Sequence, residues 1–178
     1  MGGKSTENLK SKKSLVIYFS HIGENYTVDG IRNLEKGNTK VIAEMIGEII
    51  GADLFEVETV ENYPYNYKAC TDVALKKNQN ARPELKKYLS DISNYDVIYI
   101  WYPNWWGTMP MAMFSLLEKL DFSSKIIKPF CTHEGSRMGN SEHDLKKICN
   151  GANVLKGLAI QGSLVQNSKK QVEDWINS

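Results

Sequence analysis

The sequence predicts a three-layer α/β domain in which a doubly wound, five-stranded parallel sheet is covered by helices on both faces. Two patterns predict it: short runs of β-branched and aromatic residues, and helical periodicity in the segments between those runs. Strands that alternate with helices form β-α-β units, whose right-handed crossovers make the strands parallel. The length of 178 residues suits one such domain with one core.

The strands are predicted from apolar runs. SLVIYFS (Ser14–Ser20) and YDVIYIWY (Tyr95–Tyr102) are almost continuously apolar, and KIIKPFCT (Lys125–Thr132) is similarly rich in β-branched and aromatic residues. Such runs are typical of strands that are buried on both faces of a parallel sheet. In ADLFEVETV, which begins at Ala52, apolar and acidic residues alternate, which indicates an edge strand. A fifth strand is expected from Asn153 onward.

The helices are predicted from periodicity and end signals. NTKVIAEMIGEIIG runs from Asn38, a candidate N-cap, to Gly51, just past the C-terminal end. Pro83 and Pro110 are expected to begin the helices ELKKYLSDI and MAMFSLLEKL. SEHDLKKIC and SKKQVEDWI are two further predicted helices, whereas the polar and aromatic stretch 60–80 is assigned to no class.

Composition limits the choice of function. With 22 basic and 21 acidic residues, the net charge of +1 indicates no nucleic-acid partner. The three cysteines form neither a zinc pattern nor an even set for disulfides, so we expect no metal site and a reducing compartment. No apolar run approaches the roughly 20 residues needed to span a bilayer. We therefore expect a cytoplasmic protein without a membrane partner, with a disordered basic tail (1–13) and a single domain (14–178).

The first loop is predicted to hold an anion. It runs from Ser20, directly after the first strand, to Asn38 and Thr39 at the start of a helix. Free backbone amides and the helix dipole favour a phosphate at such a place. Ordinary helix capping is the alternative interpretation of Asn38 and Thr39.

The next two loops are predicted to hold a planar ring. The second, PNWWG (Pro103–Gly107), offers two adjacent indoles for stacking and the amide of Asn104 for hydrogen bonds, although core packing is the usual fate of tryptophan. The third, THEGSRMGNS, begins at Thr132 and contains glycines that allow a close approach of the backbone to a ligand. Because the carboxyl ends of parallel strands form the ligand site of such sheets, the three loops should meet. A phosphate anchor beside an aromatic surface fits flavin mononucleotide (FMN).

The same segments resemble those of the flavodoxin family. The order VIYFS…GNTKVIAEMI, DVIYIWYPNWWGTMPM, KPFCTHEGSRMGNSEHDLKKI and VLKGLAI is similar to that family from Ser14 to the C-terminus, in its branch with a split first loop. The resemblance implies the strand order 2-1-3-4-5 of a flavodoxin-like fold, and non-covalent FMN. Many flavodoxins have a compact T-x-T-G-x-T loop, whereas here about fifteen residues separate Ile22 from Asn38.

The resemblance also implies the cofactor-binding residues. Ser20, Asn38 and Thr39 would hold the phosphate. Two sets would line the isoalloxazine ring: Pro103, Asn104, Trp105, Trp106 and Gly107, and on its other edge Thr132, His133, Glu134, Gly135 and Ser136. Beside these, His21 and His133 are candidate donors to phosphate or flavin, with solvent-facing loop histidines as the alternative. The insert, through Glu24, Asn25 and Tyr26, is a further candidate contact.

The leading hypothesis is an FMN-binding, flavodoxin-type electron-transfer protein that serves redox partner proteins. The alternative is an oxidoreductase of the same fold, an FMN-dependent NAD(P)H:quinone reductase with a small quinone-like acceptor. A third hypothesis is a binding module that has lost its cofactor, and a homodimer is left open. If the charge of Glu134 lies near the ring, it should disfavour the charged reduced flavin and lower the potential.

Overall fold

The central sheet has the predicted strand order. A computed structural model of the protein describes residues 9–76 and 80–178. Its strands are β1 (Ser14–Tyr18), β2 (Gly23–Thr27), β3 (Gly30–Leu34), β4 (Asp53–Glu56), β5 (Val97–Pro103), β6 (Ile126–His133), β7 (Asn153–Val154) and β8 (Leu158–Gln161). In the main sheet β4, β1, β5, β6 and β7 are neighbours in that order, and all pair in parallel. This is the predicted 2-1-3-4-5 order, with β4 at the edge as expected. The fifth strand is divided, because β7 pairs with the start of β6 and β8 with its end.

Helices cover both faces of this sheet. They are α1 (Asn38–Ile50), α2 (Tyr67–Lys76), α3 (Met111–Leu117), α4 (Ser141–Ile148) and α5 (Lys169–Ile176), with a 3-10 helix at Gly162–Asn167. Gly51 ends α1 in the left-handed conformation, as predicted. Across residues 9–76 and 80–178, no helix has the length and apolar character that a membrane span requires.

The alternation of side chains along β5 produces two cores. Ile98 and Ile100 belong to a core that also contains Leu116 of α3, whereas Tyr99 and Trp101 belong to a core that contains Ile46 of α1. All six side chains are completely buried. Because successive side chains of a strand point to opposite faces, a continuously apolar strand requires a helix layer on each side.

The insert in the first loop forms a hairpin of its own. β2 and β3 pair antiparallel as a two-stranded sheet separate from the main one. Gly30 has a φ of 100°, a conformation that favours glycine, and its carbonyl accepts a hydrogen bond from the Thr27 hydroxyl (2.7 Å). The sequence analysis predicted neither this hairpin nor α2, which lies within the unassigned stretch 60–80.

The predicted helix after Pro83 is wrong. This segment is extended: the amide of Val60 donates to the carbonyl of Glu84, and the amide of Lys86 donates to that of Glu58, both at 2.9 Å. The backbone groups are therefore satisfied by the chain that follows β4, without a helix. The apolar stripe that suggested the helix reaches the core from the extended path, through Leu85, Leu89 and Ile92.

The predicted tail contains some structure at its end. Residues 1–8 lie outside the described residues, so the tail stays a prediction there. Leu9–Ser11 form a 3-10 turn, and Leu9 is buried against the core that contains Tyr99 and Trp101. The folded part of the chain therefore begins before Ser14.

Candidate functional site

A cavity of about 360 Å³ opens at the carboxyl ends of β1, β5 and β6. Open α/β sheets bind ligands at this edge, and cofactor cavities measure roughly 300–1,000 Å³. Most of the predicted cofactor-binding residues line the cavity: His21, Tyr26, Asn38, Thr39, Pro103, Asn104, Trp105, Trp106, Thr132, His133, Glu134 and Ser136. Ser20, Gly107 and Gly135 are chain neighbours of lining residues but do not line the cavity themselves.

We call the inner side of the cavity the floor: the residues that follow β1, β5 and β6, with the first turn of α1. Gly37 precedes α1 and has an extended backbone, so Gly37 is the N-cap and the prediction of Asn38 as the cap is wrong by one residue. The first bond within the helix joins the Val41 amide to the Gly37 carbonyl (3.2 Å). The amides of Asn38 and Thr39 have no acceptor among the described residues, which suits an anion at this end of the floor.

The Ser20 side chain contacts the start of α1. Its Oγ accepts a hydrogen bond from the Lys40 amide (3.1 Å), so it caps the first turn of α1. A Cβ atom at Gly37 would lie 2.2 Å from this Oγ and 2.5 Å from the His21 carbonyl oxygen. Glycine at 37 therefore allows the loop after β1 to approach the helix start. The buried hydroxyls of Thr39 and Thr132, 2.9 Å apart, then join the helix to β6.

The two adjacent tryptophans have different environments. Trp105 is partly buried, and its ring meets those of Phe19, His21 and Tyr63 edge to face, with centroids 5.3, 5.6 and 5.0 Å away. Trp106 is 53% exposed, and its φ of 53° lies in the left-handed region. Trp105 is therefore packed, whereas Trp106 offers an exposed indole face, and both line the cavity.

Asn104 joins the second and third loops. Its Nδ2 donates to the Arg137 carbonyl (2.6 Å), and its Oδ1 accepts from the Gly107 amide (3.0 Å). The backbone amide of Asn104 also donates to the Thr132 carbonyl (2.8 Å). One side chain thus holds both loops in register at the end of the sheet.

Glu134 contacts a segment that the sequence analysis did not assign to the site. Its carboxylate accepts hydrogen bonds from the Ser163 amide (3.1 Å) and Gln161 Nε2 (3.3 Å). Burial raises the pKa of Glu134, and these hydrogen bonds oppose the rise. A Cβ atom at Gly162 would lie 2.4 Å from both Glu134 Oε1 and Asn38 Nδ2. The start of the 3-10 helix after β8 therefore connects the first turn of α1 to the third loop.

The two histidines of the cavity differ in their partners. Nδ1 of His133 accepts a hydrogen bond from the Gly135 amide (2.8 Å), and burial with the nearby Arg137 charge lowers the His133 pKa. Burial also lowers the pKa of His21. Nε2 of His21 is buried and has no hydrogen-bond partner within the described part of the chain. An unsatisfied polar atom in the floor is a feature that a bound ligand can satisfy.

We call the opposite side of the cavity the outer wall: the β2–β3 hairpin with α2. The hairpin contributes Glu24, Asn25 and Tyr26, which the sequence analysis proposed as contacts. α2 contributes lining residues that the analysis missed: Tyr67, Cys70, Thr71 and Ala74. Their segment has weak amphipathic character and is far from the first loop in sequence, so no local pattern identified them.

The charged side chains that line the cavity are carboxylates. Glu24 and Glu134 line it, while none of the lining residues that the structure describes is lysine or arginine. A ligand phosphate would therefore be held by neutral donors, and a second anionic ligand would meet no fixed positive charge. The whole arrangement suits a molecule with one phosphate and one broad planar ring.

Comparisons with known proteins agree with this architecture. A family model described as flavodoxin matches residues 33–178. A solved structure of a candidate flavoprotein from Bacteroides uniformis is 26% identical, covers 94% of this chain and 99% of its own, and has a TM-score of 0.72. One from Bacteroides eggerthii is 28% identical, with a TM-score of 0.71 and coverages of 94% and 97%. A Lactobacillus acidophilus flavoprotein in complex with FMN is 23% identical, with a TM-score of 0.60 and coverages of 88% and 98%, and shows the fold alone. No curated protein matches the chain by sequence.

Proposed function

The chain belongs to the flavodoxin family, and from this premise we propose that it binds FMN non-covalently and carries electrons between protein partners. One observation carries the proposal: one cavity joins the helix amides of Asn38 and Thr39, which have no acceptor in the described part of the chain, to the indoles of Trp105 and Trp106. The first suits a phosphate and the second suits a planar ring. The Lactobacillus flavoprotein with the same fold is solved with FMN, which supports the choice of ligand.

The residues of the floor would hold the phosphate end. The Asn38 and Thr39 amides would donate to phosphate oxygens, and Nε2 of His21, which has no partner among residues 9–76 and 80–178, is a further candidate contact. Ser20 would act indirectly, because its Oγ holds the helix start through the Lys40 amide. These neutral donors are sufficient for a phosphate at a helix N-terminus.

The loops after β5 and β6 would hold the ring. Trp106 and Tyr26 offer half-exposed aromatic surfaces, and Asn104, Thr132 and Ser136 offer polar groups along the cavity. When bound, the flavin supplies the electron transfer, and the protein determines its orientation, its access to water and its potential. Gly107 and Gly135, both at positive φ, would shape these loops without touching the cavity.

The visible absorption spectrum of the protein tests the cofactor. After incubation with FMN and desalting, flavin bands should stay with the protein, and titration should quench tryptophan fluorescence. Riboflavin, which lacks the phosphate, should bind at least tenfold more weakly if the start of α1 is the anion site, because one charge-assisted contact is worth roughly 1.5–3 kcal/mol. Absence of both flavin bands and quenching would contradict the proposal.

The charges of the cavity favour a carrier over a reductase. NAD(P)H carries a pyrophosphate, and the lining residues include two carboxylates and no lysine or arginine among those described. The reductase remains the second candidate because Trp106 is half exposed, which leaves the cavity open to a small substrate. Oxidation of NADH or NADPH with menadione decides the matter: steady turnover without a partner protein would favour the reductase, and its absence would favour the carrier.

A further inference from the structure

The outer wall is built from two pieces of chain that are far apart in sequence, the β2–β3 hairpin and α2. We propose that Glu24 is the positioning residue that fastens these pieces together, so that the insert forms a wall of the cofactor cavity that slows flavin release. The fastening itself is independent of any ligand, whereas its effect on flavin rests on the proposed function.

The Glu24 carboxylate lies at the start of α2. Its Oε2 accepts hydrogen bonds from the backbone amide of Tyr67 (2.8 Å), the first residue of α2, and from Nδ2 of Asn66 (2.7 Å). The backbone amide of Glu24 donates to the carbonyl of Tyr65 (2.9 Å). A carboxylate at a helix N-terminus is favoured by the helix dipole, and hydrogen bonds to an ionised group are stronger than neutral ones.

The neighbouring backbone fits closely against the same segment. Gly23 has a φ of 99°, and a Cβ atom there would lie 2.7 Å from the Tyr65 carbonyl oxygen. The hairpin therefore contacts the chain before α2 over Gly23 and Glu24. Next along, the rings of Tyr26 and Tyr67 are 6.2 Å apart, and both residues line the cavity.

The hairpin depends on these contacts for its position. Each of its strands has five residues, and within the described residues they pair with no other strand. A lone two-stranded hairpin is marginally stable in water. Among the described residues, Glu24 makes all the side-chain hydrogen bonds between the hairpin and the start of α2. The other side-chain contacts of the hairpin do not reach α2: Thr27 with Gly30 and Asp29 with Arg32 are internal to it, and Asn25 Nδ2 donates to the Gly23 carbonyl (3.1 Å) and to that of His21 just before the hairpin (3.4 Å).

Hydrogen exchange of the ligand-free protein tests the fastening. Glu24→Ala should raise the exchange rates of amides in both 23–34 and 67–70 by roughly 10- to 100-fold, because hydrogen bonds to a charged acceptor are lost. Glu24→Gln should cause a smaller rise in both segments, since its amide oxygen can accept from the same donors without the charge. Asp72→Asn is the matched control: Asp72 pairs with Lys68 on the exposed side of α2 (2.8 Å) and does not reach the hairpin.

The rate of FMN release tests the functional consequence. Glu24→Ala should increase the dissociation rate of FMN about tenfold, with Glu24→Gln in between and Asp72→Asn like the wild type. A purely structural effect would lower the unfolding midpoint, while the FMN dissociation rates of these variants would stay equal. Far-UV circular dichroism checks that each variant folds. If Glu24→Ala does not fold, Glu24→Gln is compared with the wild type instead.

The outcomes separate the two proposals. Faster exchange in α2 alone would mean that Glu24 is only a helix cap, and would overturn the fastening. Exchange rates in Glu24→Ala equal to those of the wild type would also overturn it. If Glu24→Ala does not fold, the same criterion applies to Glu24→Gln. Faster exchange in both segments with unchanged FMN release would overturn the role in flavin retention. If the wild type binds no FMN, the proposed function fails, and hydrogen exchange still decides the fastening.

Discussion

The floor and the outer wall of the cavity are stabilised in different ways. The floor follows three strands that are paired in one parallel sheet, and its Thr39 and Thr132 hydroxyls are buried against each other. The outer wall relies on a few polar contacts and leaves Tyr26, Val28 and Ile31 each more than half exposed. The difference shows that the floor is positioned by the core of the domain, whereas the outer wall depends on a separate local structure.

The largest expected effect is a difference in stability between variants of the two tryptophans. Trp105→Ala removes three ring contacts next to the floor, so the free energy of unfolding should fall by about 2–3 kcal/mol. Trp106→Ala should change stability by less than about 0.5 kcal/mol, as for exposed residues, while weakening FMN binding. Urea denaturation and FMN titration of both variants check this. Equal losses of stability would contradict the distinction between a packed and an exposed indole.

A methyl group at the anion end should have the next largest effect. Gly37→Ala forces a Cβ atom against Ser20 Oγ and the His21 carbonyl, so it should lower the free energy of unfolding by about 1–3 kcal/mol. It should also weaken the binding of FMN more than the binding of riboflavin. Gly47→Ala in the same helix is the control, because its Cβ would meet only the Leu54 side chain, at 3.2 Å and beyond. Urea unfolding of both variants gives the comparison. A Gly37→Ala protein as stable as Gly47→Ala would show that the floor is adaptable.

The pH dependence of stability should report on the floor as well. Burial lowers the pKa of His21 in the folded protein. The unfolded chain therefore takes up a proton near pH 6.5 before the folded protein does, so the free energy of unfolding should decrease as the pH falls below about 6.5. His21→Gln should reduce proton uptake on unfolding near pH 6 by up to about one proton, measured from urea midpoints between pH 5 and 8. His143→Gln, an exposed change on α4, is the control, and an equal change in slope would contradict the assignment.

The smallest expected effect concerns the potential of bound FMN. The Glu134 carboxylate is directed at the Ser163 amide and Gln161, which partly compensate its charge. Glu134→Gln should therefore raise the midpoint potential by about 60 mV or less, the equivalent of tenfold for one electron. Redox titration against Glu48→Gln, the same charge change on the exposed side of α1, measures it. An unchanged potential would leave Glu134 with a positioning role only.

The sequence predicted the sheet and most of the floor because burial leaves a local pattern. The continuous apolarity of residues 95–102 identified a strand covered on both faces, and the rule for ligand sites in such sheets brought Asn38, Trp105 and Thr132 together before any coordinates. The same reasoning failed at 83–92, where apolar residues at helical spacing are buried from an extended path instead. Apolar spacing records which side chains are buried, and it does not record which backbone partner is nearby.

By itself, the sequence determined the fold class and the edge of the sheet at which the loops meet, because periodicity, apolar runs and chain handedness are local properties. The strand order was implied by the resemblance to the flavodoxin family. Only the tertiary structure decided that Trp105 packs while Trp106 is exposed, and that Gly162 lies against both Asn38 and Glu134. It alone decided that Glu24 reaches the amide of Tyr67, 43 residues away. A polar contact between distant segments leaves no periodic signal in either one, since it depends on how the folded layers bring their ends together.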